Sequence, residues 1–234
     1  MEDFAACKRA SQFVAARDVL KALLILRPGD PYVVQQLALA TYKAKDPDVP
    51  RSLAAAREIL AALAPHQTND PETLGLWGAI HKRLWEVAGN RADLDESIFA
   101  YERGFSLRGD YYNGINFAFM LNVRAVLSSR ADAIADWITA ERIRRRVLEV
   151  CRAALNATPE ENADDRFWIQ ATIAEAWLGL GEMQEYAAAL ARANRAAGAV
   201  WMCDSMNEQL AGLARLLENS PLRELEAAKG PIQR

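Results

Sequence analysis

The chain has 234 residues, 51% of them hydrophobic and 25% charged, which is enough to bury a core and too little charge for a disordered tail. A formal net charge of -3 argues against a protein whose main work is holding nucleic acid, because phosphate neutralisation needs a basic surface. Apolar runs fall well short of the roughly 20 residues a membrane span needs, and the start, Met1-Glu2-Asp3, has no signal-peptide core, so a soluble, cytoplasmic chain is expected.

In chain order, the first apolar stripe is Phe13, Ala16, Leu20, Leu23 and Leu24, at the spacing of a buried helix face, and Arg27-Pro28-Gly29 stops it. Asp30-Pro31 then starts the next unit. An Asp before Pro suits a helix start, since the carboxylate caps free N–H groups and Pro wastes no hydrogen bond at the first helical position. The same signal returns at Asp70-Pro71, and an Asp again at Asp110-Tyr111, so the starts at 30, 70 and 110 stand 40 residues apart. That is an internal repeat.

Each repeat reads as two helices. The second unit pairs about 31–45 with 51–64 around Asp46-Pro47-Asp48-Val49-Pro50. The third pairs 71–88 with 92–107 around Gly89-Asn90. The fourth starts at Asp110 and has a longer second helix, with Ile143, Val147, Val150, Cys151 and Leu155 on one face. Thr158-Pro159-Glu160-Glu161 reads as a capping box opening a fifth pair, 163–180 and 182–197, around Gly179-Leu180-Gly181. Met206, Leu210, Leu213 and Leu217 mark a terminal helix, and 221–234 reads as a charged tail. No stretch shows sustained period-two alternation, so no strands are assigned.

Ala16, Leu20, Leu24 and Pro28, together with Trp77-Gly78 and with Ala174, Trp177 and Gly181, resemble a degenerate tetratricopeptide signature. The expected fold is all-α: a tetratricopeptide-like, right-handed α-solenoid of antiparallel helix pairs. It forms one domain over 1–220, with about five pairs and a terminal helix.

Two segments are more specific. Glu72 to Arg83 supplies Gly78, Ile80 and Lys82; Ser97 to Phe105 supplies Ile98, Tyr101, Gly104 and Phe105 and leads on to Tyr112, Gly114, Ile115 and Asn116. These resemble the pattern G-x-I-x-K, A-I-x-W-Y-x-x-G-F and Y-x-G-I-N of the TRAFs-binding domain. That is the tetratricopeptide-like regulatory region beside the kinase domain of apoptosis-signal-regulating kinases, with bacterial relatives. The likeness covers about 70–127; Ser97 replaces an Ala and Ala100 an aromatic residue, and no HRD or DFG kinase signature is present. It implies a regulatory, protein-binding helical scaffold.

Residues with chemistry are scattered. Cys7, Cys151 and Cys203 form no CxxC, and His66 and His81 stand 15 residues apart without HExxH, so no metal site and no cofactor are expected. Gly104 and Gly109 have P-loop spacing, but Asp110-Tyr111 follow where Lys-Ser/Thr is required. Asn156-Ala157-Thr158 is a sequon without secretory context. Glu160-Glu161 and Asp164-Asp165 read as helix-start acids, and Trp168 and Trp177 as core. Arg142, Arg144, Arg145, Arg146 and Arg152 read as a solvated face that an acidic partner could use.

A non-enzymatic module is therefore expected. In such stacks the first helix of each pair lines the concave side. Aligning Gly78 with the small position of the repeat turns Glu72, Ala79, Lys82 and Arg83 inward. Starting the next repeat at Tyr112 turns Asn113, Asn116, Met120 and Arg124 inward. Lys82, Arg83, Asn113, Asn116, Met120 and Arg124 form the expected groove, where carboxamides grip backbone amides and cations a carboxylate. The expected partner is another protein or peptide, acidic ones included, with neither membrane nor nucleic acid and with self-association left open. The alternative is a sensor holding a small anionic metabolite or nucleotide in the same groove.

Overall fold

The computed structural model describes residues 2–222 and, among them, eleven helices and no strand. The tail expected from 221 lies, from 223 onward, outside the described residues. Internal packing divides the chain into two compact units, one ending at Arg108 and one beginning at Gly109.

The first unit contains α1 (Glu2–Arg9), α2 (Phe13–Leu26), α3 (Pro31–Ala44), α4 (Val49–Ala61), α5 (Pro71–Ala88) and α6 (Arg91–Arg108). Aspartates cap three of these starts. Asp30 accepts from the Tyr32 and Val33 amides, Asp48 from the Arg51 amide, and Asp70 from the Thr73 amide, each with Pro at the head of the helix. Gly89 closes α5 at φ 64°, a left-handed conformation that only glycine adopts cheaply. Phe4, Ala16, Leu20, Val33 and Leu37 form one core layer. Leu53, Leu60, Trp77, Ile80 and Ala100 form the next. Each large side chain so buried contributes about 1.5–3 kcal/mol. Consecutive helices pack as antiparallel pairs, most extensively α5 with α6.

The second unit contains α7 (Tyr111–Val126), α8 (Arg130–Ala157), α9 (Ala163–Leu180), α10 (Met183–Ala196) and α11 (Val200–Glu218). The pairs are α7 with α8 and α9 with α10. The expected capping box at Thr158 is not formed. The Thr158 hydroxyl donates back to the Ala154 carbonyl at 2.8 Å and closes α8, and α9 starts only after Asn162. With α9 beginning at Ala163 and Asn162 in its N-cap position, no helix N-terminus stands next to Thr158 for its hydroxyl oxygen to cap.

The last helix departs from simple stacking. α11 hardly touches α10, from which the short connector 197–199 separates it, and lies instead across α9 and α7. Trp201 stacks on Trp168 of α9 with ring centroids 5.7 Å apart. Leu216 and Leu217 join Ala125 of α7 and Trp137 of α8. Gly212 approaches Phe119 so closely that a Cβ would stand 3.4 Å from its ring.

Candidate functional site

The first helices of the pairs, α3, α5, α7 and α9, carry most of the buried polar side chains among the described residues, and the second helices bury mainly apolar ones. Buried polar groups are costly unless bonded, so each marks a built network or a site.

In the first unit, Gln35 of α3 reaches α5. Its Nε2 donates to Asp70 Oδ2 at 2.6 Å and to Thr73 Oγ1 at 2.9 Å, so the cap of α5 also ties two first helices together. Further along the same two helices, burial pushes the Tyr42 phenol up to about 12, with the Arg83 guanidinium opposing and the Glu72 carboxylate adding to the rise. Arg83 and Glu72 of α5 thus each act electrostatically on Tyr42 of α3. Of the residues singled out in the sequence, Arg83 is half-buried and donates to Glu86 at 2.9 Å, whereas Lys82 is buried.

The other side of α5 carries an aromatic and acidic network. Trp77 Nε1 donates to Glu96 Oε1 at 2.6 Å, and His66, exposed at its edge, stacks near Trp77 and Phe99. His81 is buried with Nδ1 2.7 Å from Asp93 Oδ1. Burial lowers its pKa, against the hydrogen bond and charge of Asp93.

In the second unit the sequence-chosen residues of α7 separate. Asn113 is buried and donates from Nδ2 to Asp110 Oδ2 at 2.9 Å, reinforcing its own helix cap. Met120 is fully buried. Asn116 is half-buried and donates to the Tyr112 carbonyl one turn back at 3.0 Å. Arg124 forks onto Asp136 of α8, at 2.8 and 2.7 Å, in a charge-assisted pair.

Sequence reasoning placed Arg144 on a solvated face, and the structure corrects it. Arg142, Arg145, Arg146 and Arg152 are exposed, but Arg144 is 0% exposed. Its Nη2 donates to Asn122 Oδ1 at 2.6 Å, and the guanidinium lies flush on the backbone of Gly179, leaving no room for a Cβ. Burial lowers its pKa to about 10, with Glu175 and Glu141 opposing, so it stays charged at neutral pH. The signal was available: Arg144, Val147, Leu148 and Cys151 recur at helical spacing on the apolar side of α8. Glu175 of α9, also buried, accepts from Gln209 of α11 at 2.9 Å.

Two features frame this chemistry. Exposed Arg145 and Arg152 border a shallow pocket of about 300 Å³ with Trp177 and Leu180. Among the described residues, no three His, Cys, Asp or Glu side chains gather as a metal site, and no helix is long and apolar enough to cross a membrane.

Against known proteins, residues 12–121 match the family model described as Tetratricopeptide Repeats-Sensor, just under half of the chain. TTC0263, a thermophilic TPR protein of Thermus thermophilus, superposes with a TM-score of 0.59 at 15% identity, over 90% of this chain and 95% of its own. The fold is tetratricopeptide-like. The structure of MamA protein aligns at a TM-score of 0.46 with 13% identity, covering 84% of this chain and 88% of that one. No curated protein matches in sequence.

Proposed function

We propose that this chain is a non-enzymatic, regulatory binding module that holds another protein or a peptide on the first-helix side of its helix pairs. The observation that carries this is the α3–α5 surface of the first unit. Tyr42 and Arg83 are half-buried and Glu72 is exposed, so the surface offers part of an aromatic ring beside two opposite charges that both act on its phenol. Such a mixed surface fits a peptide, which presents amides and charged side chains together, better than a single small solute. On α7, Asn116 offers a carboxamide on a half-buried position. The exposed arginines of α8 suit acidic stretches of a partner. Tetratricopeptide-like folds generally bind proteins or peptides, and the resemblance to the TRAFs-binding domain supports a place in signalling or defence.

The test is comparative affinity purification of the full chain from its native cells, with Arg83→Glu beside the control Glu102→Lys on exposed α6. Partners recovered with the parent and control chains should fall by about tenfold or more with Arg83→Glu, while all three melt within about 2 °C of one another. Equal recovery from all three removes this surface from the proposal. The second reading, a sensor of a small anionic metabolite or nucleotide, is favoured by the match to a family described as a sensor.

A further inference from the structure

We propose that α11 is a built-in occupant of a helix-binding groove on α7 and α9, and that the groove takes an amphipathic helix of a partner protein, patterned like α11, when α11 is released. This rests on the reading that first helices carry the binding side and extends it to the second unit, where nothing depends on the α3–α5 surface.

A helix that continued the stack would rest on the second helix before it, as α5 rests on α4 and α9 on α8. α11 hardly touches α10 and crosses the first helices α9 and α7 instead. Those two already have partners, since α7 packs extensively on α8 and α9 on α10. Each pair is thus built by its own two helices, and α11 is laid over them as a ligand would be.

The contact is that of a helix seated in a groove. Met202, Met206, Leu210 and Leu213, at steps of four, four and three, turn one apolar stripe inward, while Asp204, Asn207, Glu208 and Arg215 are exposed on the other side. Three contacts set the register. Gln209 Nε2 donates to the carboxylate of buried Glu175 at 2.9 Å, Trp201 stacks on Trp168, and Gly212 passes Phe119 with room for little more than a Cβ. Counted from Met202, the groove therefore asks for apolar anchors at i, i+4, i+8 and i+11, a carboxamide at i+7 and a small residue at i+10. No side chain caps the start of α11, so the connector 197–199 acts there as a tether and the groove supplies the hold.

The probe is a fluorescein-labelled peptide of residues 200–218, into which the full chain is titrated while anisotropy is read. The parent chain, its groove filled, should show no saturable binding up to about 100 µM. Leu210→Glu/Leu213→Glu places two carboxylates on the buried stripe, loosens α11, and should bind the peptide with a Kd at least about tenfold below that limit. A peptide carrying Gly212→Leu should bind that chain at least about tenfold more weakly, because the added side chain meets Phe119.

If the double variant does not fold, a chain with about twelve Gly/Ser residues inserted between Ala199 and Val200 decides, since it keeps every contact of α11. Its connector is about five times longer, so it should bind up to about tenfold more peptide than the parent, by the −3/2 power of length. The proposal is overturned if the folded double variant does not bind the peptide, if the parent binds it equally well, if Gly212→Leu makes no difference, or if the lengthened chain binds as the parent does. Dimers of the parent chain at these concentrations that excess peptide dissolves would give the groove to the α11 of a second copy and overturn the partner helix. Each of these outcomes leaves the Arg83→Glu test of the first unit untouched.

Discussion

Gly78 of α5 lies flush under the ring of Tyr101 of α6: a Cβ on Gly78 would stand 2.8 Å from two ring carbons. Beside it, Ser97 donates to the Gly78 carbonyl at 2.9 Å. The motif residues Gly78 and Tyr101, far apart in sequence, are therefore the two sides of one helix contact. Alanine in place of a helical glycine would ordinarily gain up to about 1 kcal/mol. Here the ring is 1% exposed and cannot retreat, so overpacking at about 1–3 kcal/mol wins. Gly78→Ala should lower the melting temperature, and adding Tyr101→Leu should recover part of the loss. Strictly additive losses in a double-mutant cycle would show that the contact is not the cause.

The aspartate caps differ in what they hold. Asp30 meets two amides of its own helix. Asp70 meets the Thr73 amide and hydroxyl and also Gln35 of α3. Asp30→Ala should cost about 1 kcal/mol and Asp70→Ala about 2–3 kcal/mol, because the second also removes the acceptor shared by Gln35 Nε2 and the Thr73 hydroxyl. Urea unfolding of the two variants should rank them in that order, and equal losses would reduce Asp70 to an ordinary cap.

On α7, Asn116 and Arg124 should behave oppositely. The Asn116 bond to Tyr112 is exposed and stays within its own helix, so Asn116→Ala should change stability by no more than about 0.5 kcal/mol. Arg124→Glu turns a bidentate pair into two facing carboxylates, one of them the 8%-exposed Asp136, and should cost about 2–4 kcal/mol. Arg124→Glu/Asp136→Arg should restore much of it if the pair accounts for the loss. Melting curves of the three chains decide this.

His81 makes the first unit sensitive to acid. Burial lowers its pKa and its Nε2 has no partner, so a second proton would bring a buried N–H without an acceptor. The unfolded chain takes that proton near pH 6.5, and the folded chain takes it at lower pH. The unfolded state thus binds more protons in this window, and stability is full above 6.5 and falls as pH drops toward the folded value. Between pH 6.5 and 5.5 the loss should not exceed about 1.4 kcal/mol, the limit for one proton. His81→Gln should flatten that part of the curve, and an unchanged slope would assign the effect to other groups.

The helix starts were legible because Asp-Pro acts locally: a carboxylate two or three residues from free amides caps them whatever the tertiary context. The apolar stripe of α2 was legible for a similar reason, with Ala16 and Leu20 fully buried as its spacing requires. Thr158 misled because a Thr-Pro-Glu-Glu run resembles a capping box wherever it occurs, whereas here Thr158 closes α8 and the next helix starts only after Asn162. Arg144 misled by company, standing among four exposed arginines while sharing the register of Val147 and Cys151. The placement of α11 could not be read at all. Its stripe shows that Leu210 and Leu213 are buried but carries no record of which helices bury them.

The position of α11 carries a kinetic and competitive meaning. A helix tethered through a connector as short as 197–199 is presented to α9 and α7 at an effective concentration in the millimolar range, without any gain in its intrinsic affinity. A free helix at micromolar concentration competing for the same surface starts about a thousandfold behind. Helical competitors are thereby screened out of the second unit by mass action alone.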